Sequence, residues 1–430
     1  MHFPAALTAV ALCCLLPGVP RAEATKDAGS GPEQLTWAAC VKEAIANNPA
    51  LAQSKYRMDA ALARRNASFS GFLPRLSAGL SAGDSGGTPY FDSIEFEDWS
   101  ARLSASQSLF SGFSTVADVM KSVAMVRRTR AQLRQDEADL RQRLRAAFVE
   151  VLYGQKNVKV QEDIAGRRAT NADMVNLFYE AGKENKGSLL RANADSAQAD
   201  FAVTRAKRAL ILARQKLCRE LGRDEFSEVG VSGEWTVAPP PETPDLAALA
   251  DAMPSVIQAR CSRDSAKADL ISAGAPWWPS VDLSAGVSQH GDKWPFEEDP
   301  RWSAGASISY SIFSGFRDSF NFRATMAASG EASSAYLAAR RDARINLQQV
   351  LFQYMDAYGD VSVNEKYLLA SRQRAEIARA QYANGMLGFV QWDIIESELV
   401  GAERSIVTSR RDAMNSEAGW LKVLGEGFGL

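Results

Sequence analysis

Two stretches of the chain alternate strictly between apolar and small polar residues, and each passes directly into a much longer stretch of helical periodicity. Trp99, Ala101, Leu103, Ala105, Gln107 and Leu109 fall on one face, with Ser100, Arg102, Ser104, Ser106 and Ser108 opposite. Later, Trp302, Ala304, Ala306, Ile308, Tyr310 and Ile312 oppose Ser303, Gly305, Ser307, Ser309 and Ser311. A period of two predicts strands that are apolar on one side only. Ten of the fifteen positions from Trp99 to Phe113 recur in the second copy, where background composition would match about one in fifteen. The chain is an internal duplication.

Each copy predicts the same order of elements. In the first, Ala44, Ile45, Leu51, Met58 and Leu62 mark a helix beginning near Leu35, broken at Asn48-Pro49 and ending at Ser70-Gly71. A strand with Leu76, Ala78 and Leu80 follows, then an acidic loop over 84–97 carrying Asp84, Asp92, Glu95 and Glu97, and then the strand 98–110. The proline-free run Phe113–Tyr179 predicts one helix, which at 1.5 Å per residue would extend about 100 Å. A polar turn at 182–187 reverses the chain into a helix over Ser188–Leu221, which Gly222 caps.

Pro239, Pro240, Pro241 and Pro244 make 223–244 an extended linker. The second copy then predicts a helix over Asp245–Ala273 and a strand with Val281, Leu283, Ala285 and Val287. A loop at 289–300 carries Asp292, Glu297, Glu298 and Asp299, and the strand from Trp302 leads into a helix over Phe316–Tyr382. A turn at Gly385 and a return helix to Leu424-Gly425 complete it. Trp99 and Trp302, Phe113 and Phe316, Leu144 and Leu347, Tyr179 and Tyr382, Gly182 and Gly385, and Leu221 and Leu424 all differ by 203. Two equivalent struts of one assembly would need that equality of length.

The N-terminus changes the compartment. Residues 1–24 hold a short apolar core and end Ala22-Glu23-Ala24, which reads as a secretory signal peptide; Leu12 before Cys13 argues against a lipid anchor. The expected organisation is therefore 1–24 signal, 25–222 first repeat, 223–244 linker, 245–425 second repeat and 426–430 tail. Beyond the signal stand three cysteines, Cys40, Cys218 and Cys261, which allow at most one disulfide, and one histidine, His290. A His-based triad or multi-His metal centre is excluded, and no cofactor is expected. The formal net charge of −2 offers no field for nucleic acid. The run Gly182–Ser188 lacks the lysine of a phosphate loop, so Lys183 and Lys186 read as charges at a helical tip.

No apolar run past the signal reaches the ~18 residues a membrane helix needs, so a membrane form would have to be a β-barrel. Four strands cannot close a barrel of useful bore, and shared closure by three chains is the simplest solution. The serine and glycine rows would then face a wet lumen, with Trp99, Trp302, Trp277 and Trp278 near the interfaces.

With these features in hand, the chain resembles the TolC-like outer-membrane efflux family. The resemblance is carried by Leu109-Phe110-Ser111-Gly112-Phe113 and Ile312-Phe313-Ser314-Gly315-Phe316 at the strand-to-helix junctions, and by Tyr179-Glu180-Ala181-Gly182 and Tyr382-Ala383-Asn384-Gly385 at the tips. It covers roughly Leu35 to Gly425. It implies a fold that is mainly α with a β-barrel part: a homotrimer whose twelve-stranded outer-membrane barrel continues as a twelve-helix periplasmic tunnel. The implied function is passive export, as the outer-membrane component of a tripartite efflux pump or type I secretion system. Its implied partners are outer-membrane lipid, a periplasmic adaptor and an inner-membrane transporter of the RND or ABC class. Tyr179, Gly182, Lys183, Gly187, Tyr382, Gly385, Leu387 and Gly388 are the implied adaptor contacts; Phe110, Gly112, Phe313 and Gly315 are the junction residues. Where the family carries an aspartate pair beyond the second tip glycine, this chain has Gln391 and Ile394. Asp393 and Glu396 stand nearby, either as an anionic constriction or as solvated residues of a helix face. A rival from another class is a non-conducting exported scaffold or adhesin whose strands pack as a soluble sandwich.

Overall fold

Helices dominate the computed structural model, which describes residues 33–87, 94–224, 228–242, 244–291 and 299–428. The first repeat runs β1 (Glu33–Leu35), α1 (Trp37–Asn47), α2 (Pro49–Ser68), β2 (Arg75–Gly87), β3 (Ile94–Ser111), α3 (Ser114–Glu180) and α4 (Lys186–Leu221). After β4 (Val229–Val231), the second runs α5 (Leu246–Ala252), α6 (Pro254–Ala273), β5 (Ser280–Gly291), β6 (Arg301–Ser309), α7 (Arg317–Ala383) and α8 (Phe389–Val423). Both long helices contain 67 residues, as the shared offset requires.

The break expected at Asn48-Pro49 is a capping site. The Asn48 side chain accepts from the amides of Ala50 and Leu51, while its Nδ2 donates to the Glu220 carbonyl at 2.9 Å. One residue thus starts α2 and ties it to the end of α4. The second repeat breaks similarly before Pro254, where the sequence had predicted one helix over 245–273. Proline at the first helical position supplies the reason, since it has no amide to donate back.

Two further expectations are corrected. The helix expected near Leu35 begins at Trp37, but 223–244 is more than a linker, because β1 pairs in parallel with β4. Three-residue strands carry too little periodicity to read, and this pair exists only because both lie over the core of Leu144, Phe148, Leu217 and Leu221. Strands β2 and β3 also reach Gly87 and Ile94, well into the stretch expected as loop. Asp92, Asp292, Glu297 and Glu298 lie outside the described residues. Cys40, Cys218 and Cys261 are buried as thiols, and burial pushes that of Cys40 up to about 11.

The four long strands form one antiparallel sheet in the order β2-β3-β5-β6. Its register aligns the alternation of all four: Ala78, Leu103, Val287 and Trp302 occupy one cross-strand row, and Leu76, Ala105, Ala285 and Ala304 another. This face is exposed, with Leu80, Leu103, Trp302 and Ile308 each more than half open. The opposite face pairs Ser77 with Ser104 and Ser81 with Ser100 through hydroxyl hydrogen bonds of 2.8 and 2.7 Å. At Leu109 the expected alternation fails, because a bulge between Ser108 and Phe110 makes Phe110 the partner of Val281. Among the described residues, the outer edges of β2 and β6 have no strand partner.

The two repeats are not equally enclosed. Helix α3 packs against α1, α2, α4, α6 and α8, whereas the main helical neighbours of α7 among the described residues are α5, α6 and α8. Ala117, Val149 and Leu152 on α3 are buried, while their counterparts on α7 at the same offset, Phe320, Phe352 and Met355, are 63, 52 and 39 % exposed. Larger apolar side chains thus stand open where smaller ones are covered. No described helix is long and apolar enough to cross a membrane.

Candidate functional site

The far ends of the long helices carry two turns built by one device. In each, the glycine takes a left-handed φ, 72° at Gly182 and 74° at Gly385. The next amide returns to the helix: Lys183 donates to the Phe178 carbonyl at 2.8 Å, and Met386 to that of Gln381 at 2.9 Å. Asn185 then caps α4 by accepting from the Ser188 amide, and Gly388 precedes α8. Gly187 sits within the first turn of α4, where a Cβ would press to 2.9 Å from the Asn185 cap oxygen. Lys183 lies 5.9 Å from the Phe178 ring, and Leu387 packs against the apolar cluster between the tips.

The tyrosines expected as equivalent tip contacts part company. Tyr179 is exposed, but Tyr382 is 2 % exposed, stacked on Trp392 and flanked by Phe178 and Phe389. Its hydroxyl donates to Glu184 of the other tip at 3.2 Å. Burial and the Glu184 carboxylate both push the phenol above its ordinary range. Tyr382 therefore presents no contact surface and joins the tips instead. Trp392, Phe389 and Phe178 were missed from sequence, since aromatics at helical spacing read simply as core.

The expected acids are also placed differently. Gln391 is exposed, but Glu396 is 1 % exposed, with Arg379 at 2.9 Å and Arg167 at 3.5 Å. It neither solvates a helix face nor stands free to line a passage, because its carboxylate is enclosed and compensated. Asp393 takes a hydrogen bond of 2.9 Å from Arg168, which also donates to Ser397 at 2.9 Å. Arg167 grips Glu403 through both terminal nitrogens. Asp195, 3.2 Å from Arg191, faces the same group; burial, and then the Asp393 charge, raise its carboxyl above the ordinary range. Four arginines and four carboxylates so clamp α3 and α4 to α7 and α8.

This clamp is imperfectly satisfied. Nine buried side-chain polar atoms among the described residues make no hydrogen bond, and six belong here: Arg167 Nε, Asn171 Nδ2, Asp195 Oδ2, Arg379 Nε, Trp392 Nε1 and Glu396 Oε2. Arg167 Nε and Glu396 Oε2 still face each other at 3.5 Å, and Asp195 Oδ2 faces Arg191 at 3.2 Å; the cost of a buried group left without a hydrogen bond, about 1–3 kcal/mol, falls on Asn171 Nδ2, Arg379 Nε and Trp392 Nε1.

At the opposite ends, both strand-to-helix junctions turn through two successive left-handed residues: Gly112 and Phe113 (φ 62° and 70°), then Gly315 and Phe316 (both 64°). A left-handed phenylalanine costs about 1–2 kcal/mol, offset here by edge-to-face packing on Phe110 at 5.2 Å and on Phe313 at 5.4 Å. The Ser111 and Ser314 hydroxyls accept the first free amides, those of Thr115 and Asp318.

Residues 40–223 and 247–426 match the outer membrane efflux protein family, one match for each repeat. The chain belongs to that family. As an outer membrane efflux protein it is a passive channel and not an enzyme. Solved structures share its fold. The channel CusC superposes with a TM-score of 0.80 at 17 % identity, covering 90 % of this chain and 91 % of that one. OprN gives 0.78 at 21 %, covering 90 and 89 %. VceC from Vibrio cholerae gives 0.76 at 16 %, covering 90 and 96 %. No curated protein matches the sequence.

Proposed function

We propose that this efflux protein is the outer-membrane duct of a tripartite pump or type I secretion system, formed by three copies whose sheets close into one twelve-stranded barrel. The observation that carries this reading is the open sheet, with one exposed face apolar in register across four strands and both outer edges unpaired among the described residues. In lipid, unpaired edges are untenable, and closure through further copies of the same edges removes them. The uncovered face of α7 at Phe320, Phe352 and Met355 supports the same assembly, since a neighbour's α2 or α4 could cover it as this chain's own helices cover α3. The helices would then extend the barrel as a periplasmic tunnel. The tips, with Tyr179, Lys183 and Met386 exposed, would face the inner membrane and meet an adaptor and its RND or ABC transporter. The clamp around Arg168 and Glu396 would hold the tips together at rest.

The test is extraction from the outer-membrane fraction followed by cross-linking and unheated gel electrophoresis. A detergent-requiring species of three chains that collapses to monomer on boiling supports the duct. A buffer-soluble monomer overturns it.

A further inference from the structure

Near the middle of α3, a cavity of about 150 Å³ lies between the two repeats. Trp37 at the start of α1 lines it, and Ala138 on α3 and Ala418 on α8, both buried, make room for it by being small. An engineered apolar cavity of that size admits benzene, so the space suits a ligand of about six non-hydrogen atoms. This cavity is polar instead. Arg141 and Arg145 reach it from α3, Glu417 and Lys422 from α8, and Glu426 from the C-terminal segment.

Most of these charges are spent on one another. Lys422 is 3.1 Å from Asp139. Arg141 is 3.6 Å from the Glu426 carboxylate and donates to the Glu426 and Gly427 carbonyls at 3.1 and 3.2 Å. Arg145 and Glu417 are different. The Arg145 guanidinium lies 5.1 Å from the Trp37 ring and 5.9 Å from that of Phe148, so aromatic carbon surrounds it, yet among the described residues its nitrogens make no hydrogen bond. Glu417 makes none either. Tyr354, which feels the Glu417 charge, gives its hydroxyl to the Ala238 carbonyl at 2.6 Å. Burial pushes the Arg145 guanidinium down and the Glu417 carboxyl up, and the strongest charge acting on each is the other, but no ion pair within 4.0 Å joins them. Two partly buried opposite charges thus line one cavity without touching, which costs desolvation and recovers little of it in direct attraction.

A lone anion placed there would meet Glu417, and a lone cation would meet Arg145 and Arg141. A molecule carrying both charges satisfies both ends. We propose that this cavity binds a small zwitterion, an α-amino acid of the size of alanine, with its carboxylate on the Arg145 fork and its ammonium on Glu417. A planar guanidinium offers a carboxylate two parallel donors, and the ammonium supplies Glu417 with the hydrogen bonds that the fold leaves it without. The short side chain would lie beside Ala418 and Leu421. Because Arg145 belongs to the first repeat and Glu417 to the second, the bound amino acid would tie the repeats together well away from the clamp at the tips. All of these groups belong to one chain, so the site does not depend on how copies assemble.

The test is equilibrium dialysis of the purified full chain in detergent against radiolabelled alanine, and in parallel against propionate and ethylamine, each of which keeps only one of alanine's two charges. Saturable binding of alanine is expected, with propionate and ethylamine each about ten-fold weaker or more. Glu417→Gln, which preserves size and removes the charge, should weaken alanine about ten-fold while leaving propionate no weaker. Saturating alanine should also raise the Tm of the parent and not that of the variant. No saturation by about 10 mM alanine overturns the proposal. Propionate binding as tightly as alanine overturns it by making the cavity an anion site, and alanine binding untouched by Glu417→Gln overturns it by placing the ligand elsewhere. Should Glu417→Gln fail to fold, the three probes on the unsubstituted protein still decide.

Discussion

Tyr382 lies flat against Trp392, with ring centroids 4.2 Å apart and planes 9° from parallel. This pair fills the space between the tips, and the indole nitrogen makes no hydrogen bond there. Trp392→Ala should therefore cost about 3–5 kcal/mol of local stability by opening a cavity, whereas Trp392→Phe, which loses no bond, should cost under about 1.5 kcal/mol. Hydrogen exchange across 172–192 and 378–395 would read the difference. Equal protection in both variants would mean that the stack contributes nothing.

The clamp makes a second, functional prediction. Arg168→Gln leaves Asp393 and Asp195 sharing only the more exposed Arg191, so channels in planar bilayers should show higher resting conductance than the unsubstituted protein. Arg410→Gln, which breaks an ion pair with the exposed Glu365, serves as the control and should change nothing measurable. Identical conductance for all three proteins would remove the clamp from any part in closure.

Asp195 predicts a pH dependence of definite sign. Its carboxyl is raised in the fold, first by burial and then by Asp393, so the ionised form is disfavoured there relative to the unfolded chain. The penalty is fully present above the folded value and vanishes as pH falls below the unfolded one. Asp195→Asn should thus equal or exceed the parent in Tm near neutrality, with the gap narrowing on acidification. A variant markedly less stable at neutral pH would show that the Arg191 contact outweighs burial.

The junction glycines offer a comparison. A Cβ at Gly112 would stand 2.5 Å from the Ala275 carbonyl oxygen, while one at Gly315 meets no atom of the described residues within 4 Å. Gly112→Ala should impair folding of the chain itself, adding a backbone clash to the left-handed cost of about 1–2 kcal/mol. Gly315→Ala should show only that cost in a monomer and a further loss in the yield of the proposed trimer. Trimer yields matching the unsubstituted protein would place no neighbour at that junction.

Much of the architecture was legible before any coordinates. The alternation from Trp99 and Trp302, the proline-free runs after Phe113 and Phe316 and the common offset of 203 are local signals repeated twice, and each produced its element, although the second strand ends at Ser309, short of the expected Tyr310 and Ile312. Short or unpatterned elements were not legible: β1 and β4 have too few residues for a period, and the break before Pro254 lay inside a stretch that read as one helix. At the tips, glycine positions were readable because a left-handed turn demands that residue. The fate of Tyr382 and Glu396 was not, because a tyrosine or glutamate on a helix face has the same local pattern whether it meets water or an arginine of another helix.

The sequence by itself therefore determined the duplication, the one-sided strands and the lengths of the struts, all properties of neighbours along the chain. Only the tertiary structure decided which of two equivalent tyrosines is buried, that Arg167 and Arg379 enclose Glu396, and that Leu103 and Val287 share a row. Those depend on strand register and helix rotation. Both are set by long-range packing, and a one-residue slip in either would bring different side chains together while leaving every local pattern intact.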